Sequence, residues 1–299
     1  MNTTVLHRCA AFVATFALAC AAKAAPLPAA AHPAFQVAVT GQGAPVILIP
    51  GLASSGEVWQ ATVARLCGAA ARPQRQCHVL SLAGFAGVPP IEGDLLAQAE
   101  TQLAAYIGDR QLGKPAIVGH SLGGFLALRL AIGHPQQAGK LVIVDALPAL
   151  GAVQVPSMTA QQLQGMAAQM RSAMRSQDGA SFAESQRRSV ASMAGKQEDV
   201  ARILDWGKRS DKDSVIDAMA TLIGSDLRQE VARIASPTLV LGTWIAYQDY
   251  APRTATEAVF RSQYQLLPGV QIAMAETARH FIMYDDPDWL HGQIEQFLQ

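Results

Sequence analysis

The chain is punctuated by short apolar runs, each followed by a stretch with helical periodicity. VILI (residues 46–49), HVLSL (78–82), AIV (116–118), LVIV (141–144) and LVL (239–241) are rich in Val, Ile and Leu and nearly free of polar alternation. A strand with one face in water alternates, whereas a strand buried on both faces does not. FQVAVT (35–40) alternates, so it reads as half-exposed, and GVQIAM (269–274) is a weaker last strand. Helical patterns occupy residues 58–66, 94–107, 122–132 and 287–298. The last of these has Asp286 placed to cap it and Pro287 at its first position. Strand and helix in alternation predict an α/β class, a mostly parallel central sheet flanked by helices.

Residues 147–224 break this rhythm, because no buried-strand pattern occurs in them. Leu163, Met166, Met170 and Met174 fall on one helical face. The expectation is a helical cap inserted after the strand that ends near Asp145. The Met stripe serves either as its small core or as a flexible apolar lid over a pocket. The sheet resumes at Ser236-Pro237-Thr238.

With 299 residues, half of them apolar, the chain can bury one large core. Lys and Arg together number 23, and so do Asp and Glu, with no basic block among them. That excludes an electrostatic footprint for nucleic acid. The beginning of the chain is separate in character. Arg8, the apolar run 9–22 and Ala22-Lys23-Ala24 read as a secretory signal peptide over 1–24. An Ala/Pro linker follows over 25–34, then an α/β domain over 35–299. The run is shorter than the ~20 residues needed to span a bilayer. No other run is long enough, so the mature chain is expected to be periplasmic or secreted, without a membrane span. Lipidation at Cys20 is the rival reading. Cys67 and Cys77 remain after cleavage, and an even pair in an exported chain is a disulfide candidate.

VGHSLGG (118–124) places Ser121 between the strand 116–118 and the helix 122–132. G-x-S-x-G between strand and helix is the setting of a nucleophile held on a strained bend. Gly119 and Gly123 are expected to keep side chains away from that serine. A serine hydroxyl needs a base, most often histidine. His280 lies on a loop after the last strand, at the carboxyl edge of the sheet where Ser121 also sits. The base needs a carboxylate to orient it. Asp249, after the strand 239–241, leads, and Asp145, at the end of 141–144, is its rival. Two N–H groups must hold the oxyanion, and Leu122 and Leu52 are the candidates, the second in the turn opened by Gly51.

Together these blocks resemble the α/β-hydrolase superfamily, and within it the capped, esterase-like serine hydrolases. The resemblance runs from Phe35 to Leu298. It rests on VILIPGLASSGEVW, IVGHSLGGFLAL, LVIVDA, DLRQEVARIASPTLVLG and ARHFIMYDDPDWL, in that order. It implies Ser121 as nucleophile, His280 as base, Asp249 as acid, and Leu52 and Leu122 as oxyanion donors. The loop to Asp249 is longer than the family's short G-x-x-D, which keeps Asp145 open. The implied reaction is hydrolysis of an ester or related acyl compound, with a small-molecule acyl substrate and neither metal nor organic cofactor. Amide, C–C bond and perhydrolase chemistry use the same triad, and a ligand-binding relative would keep it without turnover.

Overall fold

The structure is a computed structural model, and it describes residue 1 and residues 32–299. The signal-peptide reading and Cys20 lie outside the described residues. Seven strands form one sheet. They are β1 (Phe35–Gly41), β2 (Ala44–Ile49), β3 (Arg75–Leu82), β4 (Ala116–His120), β5 (Leu141–Val144), β6 (Thr238–Gly242) and β7 (Gln271–Met274). Their order across the sheet is β1-β3-β2-β4-β5-β6-β7. Only β1 runs antiparallel to its neighbour, and the remaining pairs are parallel.

Between the strands run α1 (Gln60–Cys67), α2 (Leu95–Asp109) and α3 (Leu122–Gly133). Four helices separate β5 from β6. They are α4 (Ala160–Arg175), α5 (Gly179–Ala191), α6 (Gln197–Lys208) and α7 (Lys212–Gly224). Then come α8 (Arg253–Gln263), α9 (Ile282–Asp285) and α10 (Pro287–Leu298). Asp94 caps α2 by accepting from the N–H of Leu96 and Ala97, and Asp286 caps α10 by accepting from Trp289.

The continuous apolar runs are explained by two cores, one on each face of the sheet. Ile47, Ile49, Ile117, Leu141, Ile143 and Val240 pack on one face with α2, α3 and α7. Val46, Leu48, Val118, Val142, Val144, Leu239 and Leu241 pack on the other with α1, α6 and α10. Neighbours along one strand thus enter opposite cores, so neither tolerates a polar side chain. β1, at the antiparallel edge, keeps Phe35 buried and Val37 half-buried, but it is exposed from Ala38 on, Val39 included, so the alternation its sequence suggests holds only at its start.

Residues 147–224 form helices and no strand, as the sequence indicates. In α4, Leu163 is buried, while Met166, Met170 and Met174 are half-buried. Met166 packs against the small cluster of Ala149, Ala152 and Leu163. Cys67 and Cys77 form a disulfide that ties the end of α1 to β3. Among the described residues no helix is long and apolar enough to cross a membrane.

Strand register levels the carboxyl ends of the central strands. His120 pairs with Val144, Val144 with Leu241, and Gly242 with Met274. Whatever follows β4, β5, β6 and β7 therefore converges on one edge of the sheet.

Candidate active site

Ser121 is the single residue between β4 and α3. Its backbone sits at φ 52°, ψ −119°, a left-handed angle that costs a non-glycine residue of order 1–3 kcal/mol. Two hydrogen bonds hold it there. Its N–H donates to Val144 O at 2.9 Å, and its carbonyl accepts from Phe125 N at 3.0 Å in the first turn of α3.

The glycines around it serve a different contact from the one expected. A Cβ on Gly119 would lie 2.3 Å from the carbonyl oxygen of Gly123. A Cβ on Gly123 would lie 2.4 Å from the carbonyl oxygen of Ile49. These residues let α3 start against β2 and against the end of its own strand. The glycine that crowds the serine is Gly51, whose Cβ would sit 3.2 Å from Ser121 Cβ and 3.0 Å from His120 Nδ1.

Leu122 begins α3, so its N–H is among the unpaired donors of a helix N-terminus. Leu52 sits in the turn after β2, closed by Ser54 N donating to Gly51 O at 3.3 Å. Ser54 Oγ also donates to Leu52 O at 3.2 Å.

His280 lies on the loop after β7, and its Nδ1 is 2.6 Å from Asp145 Oδ2. Asp145, not Asp249, is therefore the carboxylate that structure places against the histidine, which corrects the sequence expectation. The loop after β6 enters a 3₁₀ turn at Ile245–Tyr247 and carries Asp249 out to an exposed position. Asp145 sits one residue beyond β5, next to the serine's own strand. It has φ 46°, and its N–H donates to Leu241 O at 2.7 Å. Thr243, at the end of β6, donates to both of its oxygens. Thr243 N lies 3.0 Å from Oδ1 and Thr243 Oγ1 3.0 Å from Oδ2.

Further residues that sequence reasoning passed over complete the frame. Tyr264 donates its hydroxyl to Ala146 O at 2.7 Å, and the Gln263 side chain bonds both N and O of Ala149. Tyr264 and Gln263 are buried and pin the chain just beyond Asp145. Burial, then the charge of Asp145, pushes the Tyr264 phenol up, so it stays protonated. His120 donates from Nε2 to the carbonyl of His280 at 3.0 Å. Burial, then the neighbouring His280, holds His120 well below the usual histidine range, so it is neutral.

The turn between α5 and α6 is tied to the histidine loop. Phe281 N donates to Met193 O at 3.0 Å, and Arg279 Nη1 donates to Ala194 O at 3.0 Å. Asp285 accepts from Gly195 N and from Arg279 N, each at 2.8 Å. No sequence signal marked Asp285 beyond its place in the motif quoted around His280.

A groove of about 340 Å³ lies elsewhere, between Ala152, Pro156, Arg228 and the end of α8. Its Arg228 is already engaged by Asp226 and by the carbonyl of Pro156. Among the described residues no group of three His, Cys, Asp or Glu side chains could hold a metal.

The chain that carries this site has counterparts among known proteins. The profile described as Alpha/beta hydrolase family matches residues 46–292. The chain belongs to the alpha/beta hydrolase family. The seven-stranded, mostly parallel sheet of this hydrolase is that family's fold. It is 26% identical to a putative carbamate hydrolase RutD of Yersinia enterocolitica, over 87% of this chain and 90% of that one. It is also 26% identical to a pimeloyl-[acyl-carrier protein] methyl ester esterase of Nitrosomonas europaea, over 69% and 79% of the two chains. A thermophilic esterase from Thermogutta terrifontis superposes with a TM-score of 0.70 at 20% identity, covering 88% of this hydrolase and 92% of that structure. At that identity the superposition speaks for the fold alone.

Proposed function

We propose that this hydrolase cleaves a carboxylic ester or related acyl compound through an acyl-enzyme on Ser121, with His280 as base and Asp145 as its acid. The observation that carries the reading is the 2.6 Å contact between His280 Nδ1 and Asp145 Oδ2, at the sheet edge that also bears Ser121. A proton kept on Nδ1 leaves Nε2 as the basic nitrogen. Nε2 takes the Ser121 proton as Oγ bonds to the substrate carbonyl carbon. The N–H groups of Leu52 and Leu122 donate to the oxygen on which negative charge develops. The tetrahedral intermediate collapses, the bond to the alkoxide breaks, and His280 returns the proton to the departing alcohol. Water, deprotonated by His280, then attacks the acyl carbon, the bond to Ser121 Oγ breaks, and His280 returns the proton to Oγ as the acid leaves.

The substrate we propose is a small acyl compound with an apolar acyl group, reached beneath helices α4–α7 acting as the cap. An ester is favoured over an amide because one relative is named a methyl ester esterase. Export to an oxidising compartment is part of the same proposal, supported by the Cys67–Cys77 disulfide. A fluorophosphonate probe tests the mechanism. Mass spectrometry is expected to find the adduct on Ser121, and His280→Ala is expected to abolish it. Folded wild-type protein that takes no label, or takes it elsewhere, would overturn the proposal.

A further inference from the structure

Thr243 occupies the end of β6, where the sequence directs attention to an acid, yet it carries no charge. Its side chain is 2% exposed, and both of its donors are aimed at Asp145. We propose that Thr243 is a positioning residue. It fixes the plane of the Asp145 carboxylate and shares Oδ2 with His280, so that the imidazole is held in one tautomer and one orientation. The inference rests on the triad proposed above.

A carboxylate on its own is free to turn. Rotation about its last bond is broad and roughly two-fold, so backbone placement alone does not aim an oxygen. Asp145 is attached at a left-handed backbone position immediately beyond its strand. Two donors from one residue on the adjacent strand fix the plane, N to Oδ1 and Oγ1 to Oδ2, and leave Oδ2 facing His280 Nδ1. β5 and β6 are hydrogen-bonded neighbours in register, and Asp145 N donates to Leu241 O just beyond the paired residues, so the clamp springs from adjoining strand ends. The acid thus stands one strand nearer the serine than expected, and Thr243 anchors it from β6.

The hydroxyl has a second effect. Donating onto Oδ2 draws charge from the oxygen that stabilises the imidazolium. Removing it leaves more charge on the oxygen that faces His280 Nδ1, which favours the imidazolium. The other groups around this pair are His120, whose ring centre is 4.6 Å from that of His280, and the phenols of Tyr247 and Tyr264. Burial keeps His120 neutral and the Tyr264 phenol protonated.

The test compares Thr243→Val, which keeps the shape and loses the donor, with Thr243→Ser, which keeps the hydroxyl. Asp145→Asn serves as the reference, and p-nitrophenyl butyrate as the substrate. Thr243→Val is expected to lower kcat roughly tenfold with little change in KM, and to move the acid limb of kcat/KM to higher pH. Thr243→Ser is expected to keep the wild-type kcat and limb. Should Thr243→Val fold poorly, Thr243→Ala is expected to show the same two changes. A folded Thr243→Val or Thr243→Ala with wild-type kcat and acid limb overturns the proposal, even if its melting temperature falls. If Asp145→Asn retains wild-type kcat/KM, the triad reading fails and the inference falls with it.

Discussion

At the scale of single residues, the site is built from positions where space, not chemistry, is scarce. Ser121 and Asp145 both adopt left-handed backbone angles at the ends of neighbouring strands. Each is held by a backbone bond to the adjacent strand, Ser121 N to Val144 O and Asp145 N to Leu241 O. Gly51 leaves no room for a side chain beside the serine. Gly51→Ala would press a methyl against His120 Nδ1 and Ser121 Cβ, at 3.0 and 3.2 Å. Those contacts can yield by a few tenths of an ångström, so the protein is expected to fold. Ser121 and the turn at Gly51–Leu52 would shift by a few tenths of an ångström, and since a displacement of ~1 Å can cost roughly 100-fold in rate, a smaller but clear loss is expected. Steady-state kinetics on a variant with near wild-type melting would show kcat reduced at least tenfold.

At the scale of elements, the position of Asp145 depends on how β5, β6 and α8 meet. Tyr264, just beyond α8, donates to Ala146 O, one residue from the acid. Tyr264→Phe leaves that buried carbonyl unpaired, at a cost of about 1–3 kcal/mol. Denaturant titration should show the loss in stability, and kcat should fall with it because Asp145 loses its support. Sequence reading located the central strands because both their faces are buried, and it located Ser121 and His280 because each follows a legible strand. The acid was a choice between two strand ends. LVIVDA and LVLGTW both deliver a residue to the same edge, and which one meets the histidine is settled by cross-strand register and by the direction of the loop after β6. Neither is written in local periodicity. Thr243 was invisible for a related reason, since a neutral residue at a strand end carries no signal until its partner on another strand is known.

At the scale of the whole molecule, two cores lock the sheet, and several histidines are buried where charge is costly. His78 bonds Tyr106 Oη at 2.7 Å and Gln76 Oε1 at 3.0 Å. Burial, then Arg110, lowers its pKa, and burial, then Arg65, lowers that of His291. His120 is lowered further still, by burial and His280. In the unfolded chain these groups would titrate near their ordinary value of 6.5. Below it the unfolded state binds more protons than the folded one. Stability is therefore full above that pH and is lost as pH falls through it, by at most about 1.4 kcal/mol per histidine per pH unit. Thermal melts at pH 7 and pH 5 are expected to show a lower melting temperature at pH 5. His78→Gln is expected to narrow the gap, and equal melting temperatures would contradict the account.

The central claim is that Asp145 orients His280 for attack by Ser121. Its most direct test is kcat/KM for Asp145→Asn and Asp249→Asn, measured side by side on one activated ester. The account predicts a loss of about 10³–10⁴-fold for Asp145→Asn, because the histidine is left in the wrong tautomer. It predicts near wild-type turnover for Asp249→Asn, whose side chain is exposed on the loop after β6. A severe loss in Asp249→Asn with activity preserved in Asp145→Asn would contradict it.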